Sequence, residues 1–256
     1  MRKIDISFKR IQQLALPAII AGIAEPVLSS TDAAVVGNIA EFGTESLAAV
    51  GIVGTFISTI IWILAQTRSA ISAIISQNLG AGNLKSLTSF PAQAILFNIS
   101  LSFILLFSTY FFIEDILLFL RAEGKILEFS KEYYYIRIWG FPLTLFTFAI
   151  FGLFRGLQNT FWPMTIASIG VFINVGLDFI FVYGLEDFME PMGVKGAAWA
   201  SLIAQLVMAL LALVLVVTKT NISLKLKRKV HPEVKRLISM SFNLFIRSVA
   251  LNIALL

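Results

Sequence analysis

The chain contains no cysteine and a single histidine, His231. The first absence excludes disulfides and thiolate metal sites. A lone histidine in a basic loop supplies metal centres and Ser-His-Asp relays poorly, so no catalytic residues and no metal ligands are expected. Charge is also scarce: 14% of the 256 residues are Asp, Glu, Lys or Arg, against about 25% in ordinary soluble domains. In their place the chain is 58% hydrophobic, with a mean hydropathy of +0.87. A large soluble core would thin the charges, but it would not give repeated long runs without any. A helix crossing ~30 Å of hydrocarbon needs about 20 mainly apolar residues, and several segments have them. The net charge of +5 does not point to nucleic acid, because the basic residues collect between the apolar runs.

Arg2, Lys3, Lys9 and Arg10 precede the first apolar run in the manner of a signal peptide. That run is too long for such a signal and no small-residue cleavage site closes it, so it is read as a retained span. Spans are expected at 14–36, 47–76, 90–113, 133–154, 162–184 and 195–217, with another opening near 237.

Lysine and arginine accumulate on the cytoplasmic side of membrane proteins. With the N-terminus inside, the inner segments hold Arg2, Lys3, Lys9, Arg10, Lys85, Arg155, Lys219, Lys225, Lys227, Arg228, Lys229, Lys235 and Arg236. The outer segments hold Arg121, Lys125, Lys131 and Lys195, together with Glu41, Glu45, Glu114, Asp115, Glu123, Glu128, Glu132, Glu186, Asp187 and Glu190. The alternation implies a multi-pass protein of a bacterial inner membrane with a cytoplasmic N-terminus. Gly80-Ala81-Gly82-Asn83 and Gly156-Leu157-Gln158-Asn159 read as turns ending helices on the inner face.

The fold class expected is all-α integral membrane: a six-helix transmembrane bundle over 1–217, a basic cytoplasmic linker over 218–236, and the start of a seventh helix over 237–256. Arg236-Leu237 faintly repeats Arg10-Ile11, as internal repeats in transporters do. Since Leu256 falls within an apolar run, the chain is expected to be a fragment of a longer one, partnered by a missing C-terminal lobe.

An ionisable side chain inside the bilayer costs about 2.5–3.5 kcal/mol on insertion scales and usually serves a function. Three acids fall within the expected spans: Glu25, Asp32 and Asp178. Asp32 and Glu25, seven residues apart, share a helix face. Pro17 and Pro26 each remove a backbone donor and can bend that helix. Glu25 is either a cavity carboxylate or a cap on the break at Pro26. Asn174 and Asp178 share a face four residues apart, as a binding pair for a proton or sodium ion or as a hydrogen-bonded packing pair. Arg68 and Arg137 also lie within helices, nearer an end, and Arg68 can snorkel. Tyr133-Tyr134-Tyr135 stands where interfacial aromatic belts occur, with at most one of the three expected to face a cavity.

Leu14-Ala15-Leu16-Pro17, Glu25-Pro26, Asp32 to Gly37, Leu47 to Gly51, Leu79 to Gly82, Phe154 to Thr160 with Pro163, the Asn174/Asp178 pair and Gly193 to Ala200 follow one another in an order and spacing that resemble the multidrug and toxic compound extrusion (MATE) family. Arg68, Gln77 and Gly80 resemble its DNA-damage-inducible F branch. The resemblance covers residues 10 to about 217. It implies the N-terminal lobe of a twelve-helix, two-lobe transporter, with no cofactor and with H⁺ and/or Na⁺ as coupling ion. Carried over residue by residue, it implicates Asp32, Asn174 and Asp178 in coupling and Tyr133 at the cavity. Phe151 departs from a position often polar in the family, and the long connection from Glu186 to Met192 leaves no ligand to be carried over from the sixth span.

The expected function is therefore secondary active efflux of organic, often cationic, small molecules across a lipid bilayer. A lipid-linked sugar flippase of similar architecture is the alternative. It would favour basic residues for a pyrophosphate, whereas acids outnumber deep bases here. A membrane enzyme would need a nucleophile and base within the spans, and a channel would need a filter.

Overall fold

The computed structural model describes residues 7–185 and 188–254. The expectations placed on Arg2, Lys3, Glu186, Asp187 and Leu256, and on the side chains of Arg10 and Glu25, lie outside the described residues. Nine α-helices follow one another among those described: α1 (Phe8–Val36), α2 (Gly43–Leu64), α3 (Gln66–Gly80), α4 (Phe90–Phe119), α5 (Gly124–Arg137), α6 (Gly140–Gly156), α7 (Phe161–Tyr183), α8 (Val194–Lys219) and α9 (Pro232–Ala254). In lipid a helix answers its own backbone hydrogen bonds, which is why an apolar chain of this kind becomes helical throughout.

Five stretches are long and apolar enough to cross a membrane: Ile11–Val36, Gly43–Gly80, Phe90–Phe119, Phe161–Tyr183 and Val194–Lys219. The pair α5 and α6, bent by 47°, forms a sixth if counted as one span. The second stretch joins α2 to α3 across Ala65, where Arg68 N–H bonds the Ala65 carbonyl over only three residues. Six spans thus match the expected bundle, although the fourth is built differently. Gly124–Glu132 carries Lys125, Glu128, Lys131 and Glu132 and reads as a loop, yet it is the first half of α5. Its charges face outward while Ser130, Tyr133, Tyr134 and Arg137 are buried. The bend after Arg137 follows from Pro142, which offers no N–H to the Ile138 carbonyl and crowds it.

α1 runs as one helix through both Pro17 and Pro26. α9 starts at Pro232, within the stretch read as linker, because proline suits the first turn of a helix. It is not among the stretches that meet the length and hydropathy of a span.

The connections segregate to two ends. Lys85, Leu157, Asn159 and Lys219 line one cavity of about 630 Å³, so the loops after α3, α6 and α8 meet at what we call the basic end. At the opposite, acidic end Lys195 pairs with Glu132 at 2.9 Å, and the Phe42 and Phe129 rings lie 6.2 Å apart. Small residues set the spacing of α7 and α8. A Cβ on Gly170 would lie 2.3 Å from Met208 Sδ, and one on Gly196 would lie 2.5 Å from the Phe181 carbonyl oxygen. Ala197, Ala198, Ala200 and Ala204 are completely buried along the same helix.

Candidate functional site

That close approach of α8 to α7, with α1 packed against α7, creates a polar cluster inside an otherwise apolar bundle. Asp32, Asn174 and Asp178 are all fully buried. Asp32 lies one turn before the end of α1, and a bond from Tyr183 Oη to the Val35 carbonyl at 2.7 Å ties that end to α7.

The Asp32 carboxylate is held by donors from three other helices. Tyr133 of α5 donates to Oδ2 at 2.5 Å. Ser201 of α8 lies 2.9 Å from Oδ2 and 3.2 Å from Oδ1. Asn174 of α7 donates to Oδ1 at 3.3 Å, and its amide also reaches Ser201 Oγ at 3.2 Å. Hydrogen bonds to an ionised acceptor are worth about 1.5–3 kcal/mol each. With three of them, Asp32 is equipped to be buried as an anion.

Asp178, one turn along α7 from Asn174, is equipped differently. Neither of its oxygens has a hydrogen-bond partner, and neither does Asn174 Oδ1. Its carboxyl group nevertheless lies within electrostatic reach of that of Asp32. The two facts agree once a proton is considered. A bare pair of carboxylates has no donor to share, whereas a proton on either one can bridge them. A buried charge without a partner is very costly, and these three acceptor oxygens have the chemistry to receive a proton or a cation.

Sequence reasoning named Asp32, Asn174, Asp178 and Tyr133, and the structure brings these four together. Tyr134 is buried beside Phe56, and Tyr135 is the exposed, belt-like member of its trio. Pro17 and Pro26 are inside α1 but outside this cluster; Glu25 has no described side chain.

Two contributors were missed. No residue is carried over from the sixth span, yet Ser201, four residues after Ala197 on the small-residue face that brings α8 close to α7, reaches the Asp32 carboxylate. Arg137 was noted only as a cation near a helix end. It is 5% exposed, and its guanidinium lies 5.8 Å from the centre of the Tyr133 ring. It acts on the Tyr133 hydroxyl and on Asp178. The spacing of Tyr133 and Arg137, one helical turn apart, carried that signal.

The family profile described as MatE matches residues 17–180. The probable multidrug resistance protein NorM of Thermotoga maritima is 27% identical over 202 residues, 78% of this chain and 42% of its own length. The DNA damage-inducible protein F of Escherichia coli K12 is 26% identical over 253 residues, 96% of this chain and 53% of its own. The chain therefore spans about half the length of these curated relatives. A solved structure described as MATE in the bent conformation superposes with a TM-score of 0.88 at 23% identity, over 96% of this chain and 54% of that one.

Proposed function

Given that this chain belongs to the MatE family, the multidrug and toxic compound extrusion transporters, we propose that it forms the N-terminal lobe of a secondary active efflux transporter. The whole transporter exports organic, often cationic, compounds in exchange for protons or sodium ions. The observation that carries this reading is the fully buried pair Asp32 and Asp178, one rich in donors and the other with none.

Coupling follows from the geometry. The Asp32 carboxylate holds α1 to α5, α7 and α8 at one point. A cation arriving at Asp178 changes the charge facing Asp32, and with it the strength of those three bonds. A ligand shifts a conformational balance only through its different affinity for the two states. Cation uptake and release would thus alter how tightly α1 is held. α1 and α2 also line a cavity of about 470 Å³ with Ser29, Ser30, Thr55, Ser58 and Thr59. We place substrate against this uncharged, hydroxyl-rich wall, opposite a second lobe, in the manner of transporters built from paired repeats.

The basic end is assigned to the cytoplasm of a bacterial inner membrane, following the positive-inside rule. Residues 218–236 would carry the chain from this lobe to the next, with α9 opening the second lobe. The flippase reading is less well served, because the polar cluster is built on two buried carboxylates.

The test uses the whole transporter in liposomes under an imposed pH or sodium gradient. Asp32→Asn and Asp178→Asn should each abolish gradient-driven export while the protein still inserts. Export by either variant at the unmutated rate would remove that aspartate from the coupling site.

A further inference from the structure

We propose that Arg137 is a tethered cation filling the second cation place of the Asp32–Asp178 pocket, so that the pocket cycles one proton and takes no sodium. This rests on the reading of that pocket as the coupling site.

Arg137 is the last residue of α5, 5% exposed, and does not snorkel to an interface. A guanidinium stays protonated in proteins, and the carbonyl end of a helix favours a cation. The Arg137 guanidinium lies 5.8 Å from the centre of the Tyr133 ring, whose hydroxyl bonds Asp32 of α1, and its charge is felt at Asp178 of α7. The neutral side chains of Asn174 and Ser201 bond Asp32, and Gln205, also buried, packs against Gly140 just after α5. α6, which continues from α5, has no charged side chain before Arg155.

The charge sum then decides how many mobile cations the pocket accepts. Two carboxylates alone carry two negative charges, which a proton and a sodium ion together would balance. With Arg137 in place, one proton brings the pocket to neutrality. A sodium ion added to that state would leave a net positive charge buried among apolar helices. At an effective dielectric of about 20, repulsion between unit charges weakens binding at least about tenfold at any separation below about 12 Å.

Ligand geometry acts in the same direction. A proton needs one oxygen behind it and one in front, which the facing carboxyl groups of Asp178 and Asp32 supply. Sodium needs several oxygens with free lone pairs around one point. The Asp32 oxygens already accept from Tyr133, Ser201 and Asn174, whose hydrogens would face the ion.

The experiment measures saturable ²²Na⁺ binding to the whole chain in lipid nanodiscs, for the unmutated protein and the variants Arg137→Lys, Arg137→Met and Arg137→Gln. Infrared difference spectra of the protonated-carboxyl band are recorded alongside. Unmutated protein and Arg137→Lys should show no saturable binding at millimolar sodium. Arg137→Met and Arg137→Gln should bind at least about tenfold more, and Asp32→Asn in the same background should abolish the gain. Saturable sodium binding by the unmutated protein that Asp32→Asn removes would overturn the proposal, even if neither neutral variant folds. So would folded neutral variants that gain nothing. A carboxyl band that persists in Asp178→Asn would instead sink the coupling-site reading itself, whereas its loss there would leave that reading standing whatever sodium does.

Discussion

Tyr133 and Asp32 are 101 positions apart in the chain and are joined by a 2.5 Å hydrogen bond inside the bundle. The bond links the bent span of α5 and α6 to α1, and Arg137 stands behind the tyrosine ring. The geometry leads to four expectations besides the tests already given.

Tyr133→Phe removes a donor from Asp32 and leaves the ring in place against Arg137. Losing a hydrogen bond to a charged group costs about 1.5–3 kcal/mol. Gradient-driven export should fall by at least tenfold while the purified protein stays monodisperse. Unchanged export would mean that the bond does no work in coupling.

Gly196→Ala should be more harmful than Gly140→Ala. A Cβ at Gly196 meets the backbone of Phe181 at 2.5 Å, which can yield only if α7 and α8 separate. At Gly140 the obstacle is the end of the Gln205 side chain at 1.9 Å, which can rotate away. Overpacking typically costs about 1–3 kcal/mol. Melting of detergent-solubilised protein, followed by size-exclusion fluorescence, should place Gly196→Ala well below Gly140→Ala.

Gln93 straps the segment before α9 to the lobe. Its amide nitrogen donates to the carbonyls of Lys227 and Lys229 at 3.1 and 2.9 Å, and its oxygen accepts from His231 N–H at 2.9 Å. Gln93→Leu leaves all three backbone groups to water. Trypsin should then cut at Lys225–Lys229 at least several-fold faster, and equal cleavage rates would show that the strap does not restrain the segment.

Gly82 and Lys227 should lie on the cytoplasmic side, with Glu45, Lys125 and Glu190 outside. The cysteine-free chain allows a single cysteine at each site to be probed in intact cells with an impermeant thiol reagent. Labelling of Gly82→Cys from outside would reverse the orientation.

The bundle was legible in the sequence because its solvent is simple. Long apolar runs in lipid have one way to satisfy their backbone, and basic and acidic connections alternate in a pattern that the two ends of the structure repeat. Asp32, Asn174 and Asp178 were legible for the same reason: a carboxylate on an apolar helix is costly, so its presence asks for a cause. The amphipathic start of α5 was not, since four charges in nine residues look like a loop until a partner covers the other face. Which donors surround Asp32 was decided only in three dimensions. Ser201 looks like any small residue in a small-residue stripe until Gly196 lets α8 approach α7. Arg137 reads as a cation near a helix end until α5 buries the face it shares with Tyr133. Sequence spacing sets which side chains share a face of one helix. The packing of four helices selects which faces meet, and a site built from one or two residues of each depends on that packing.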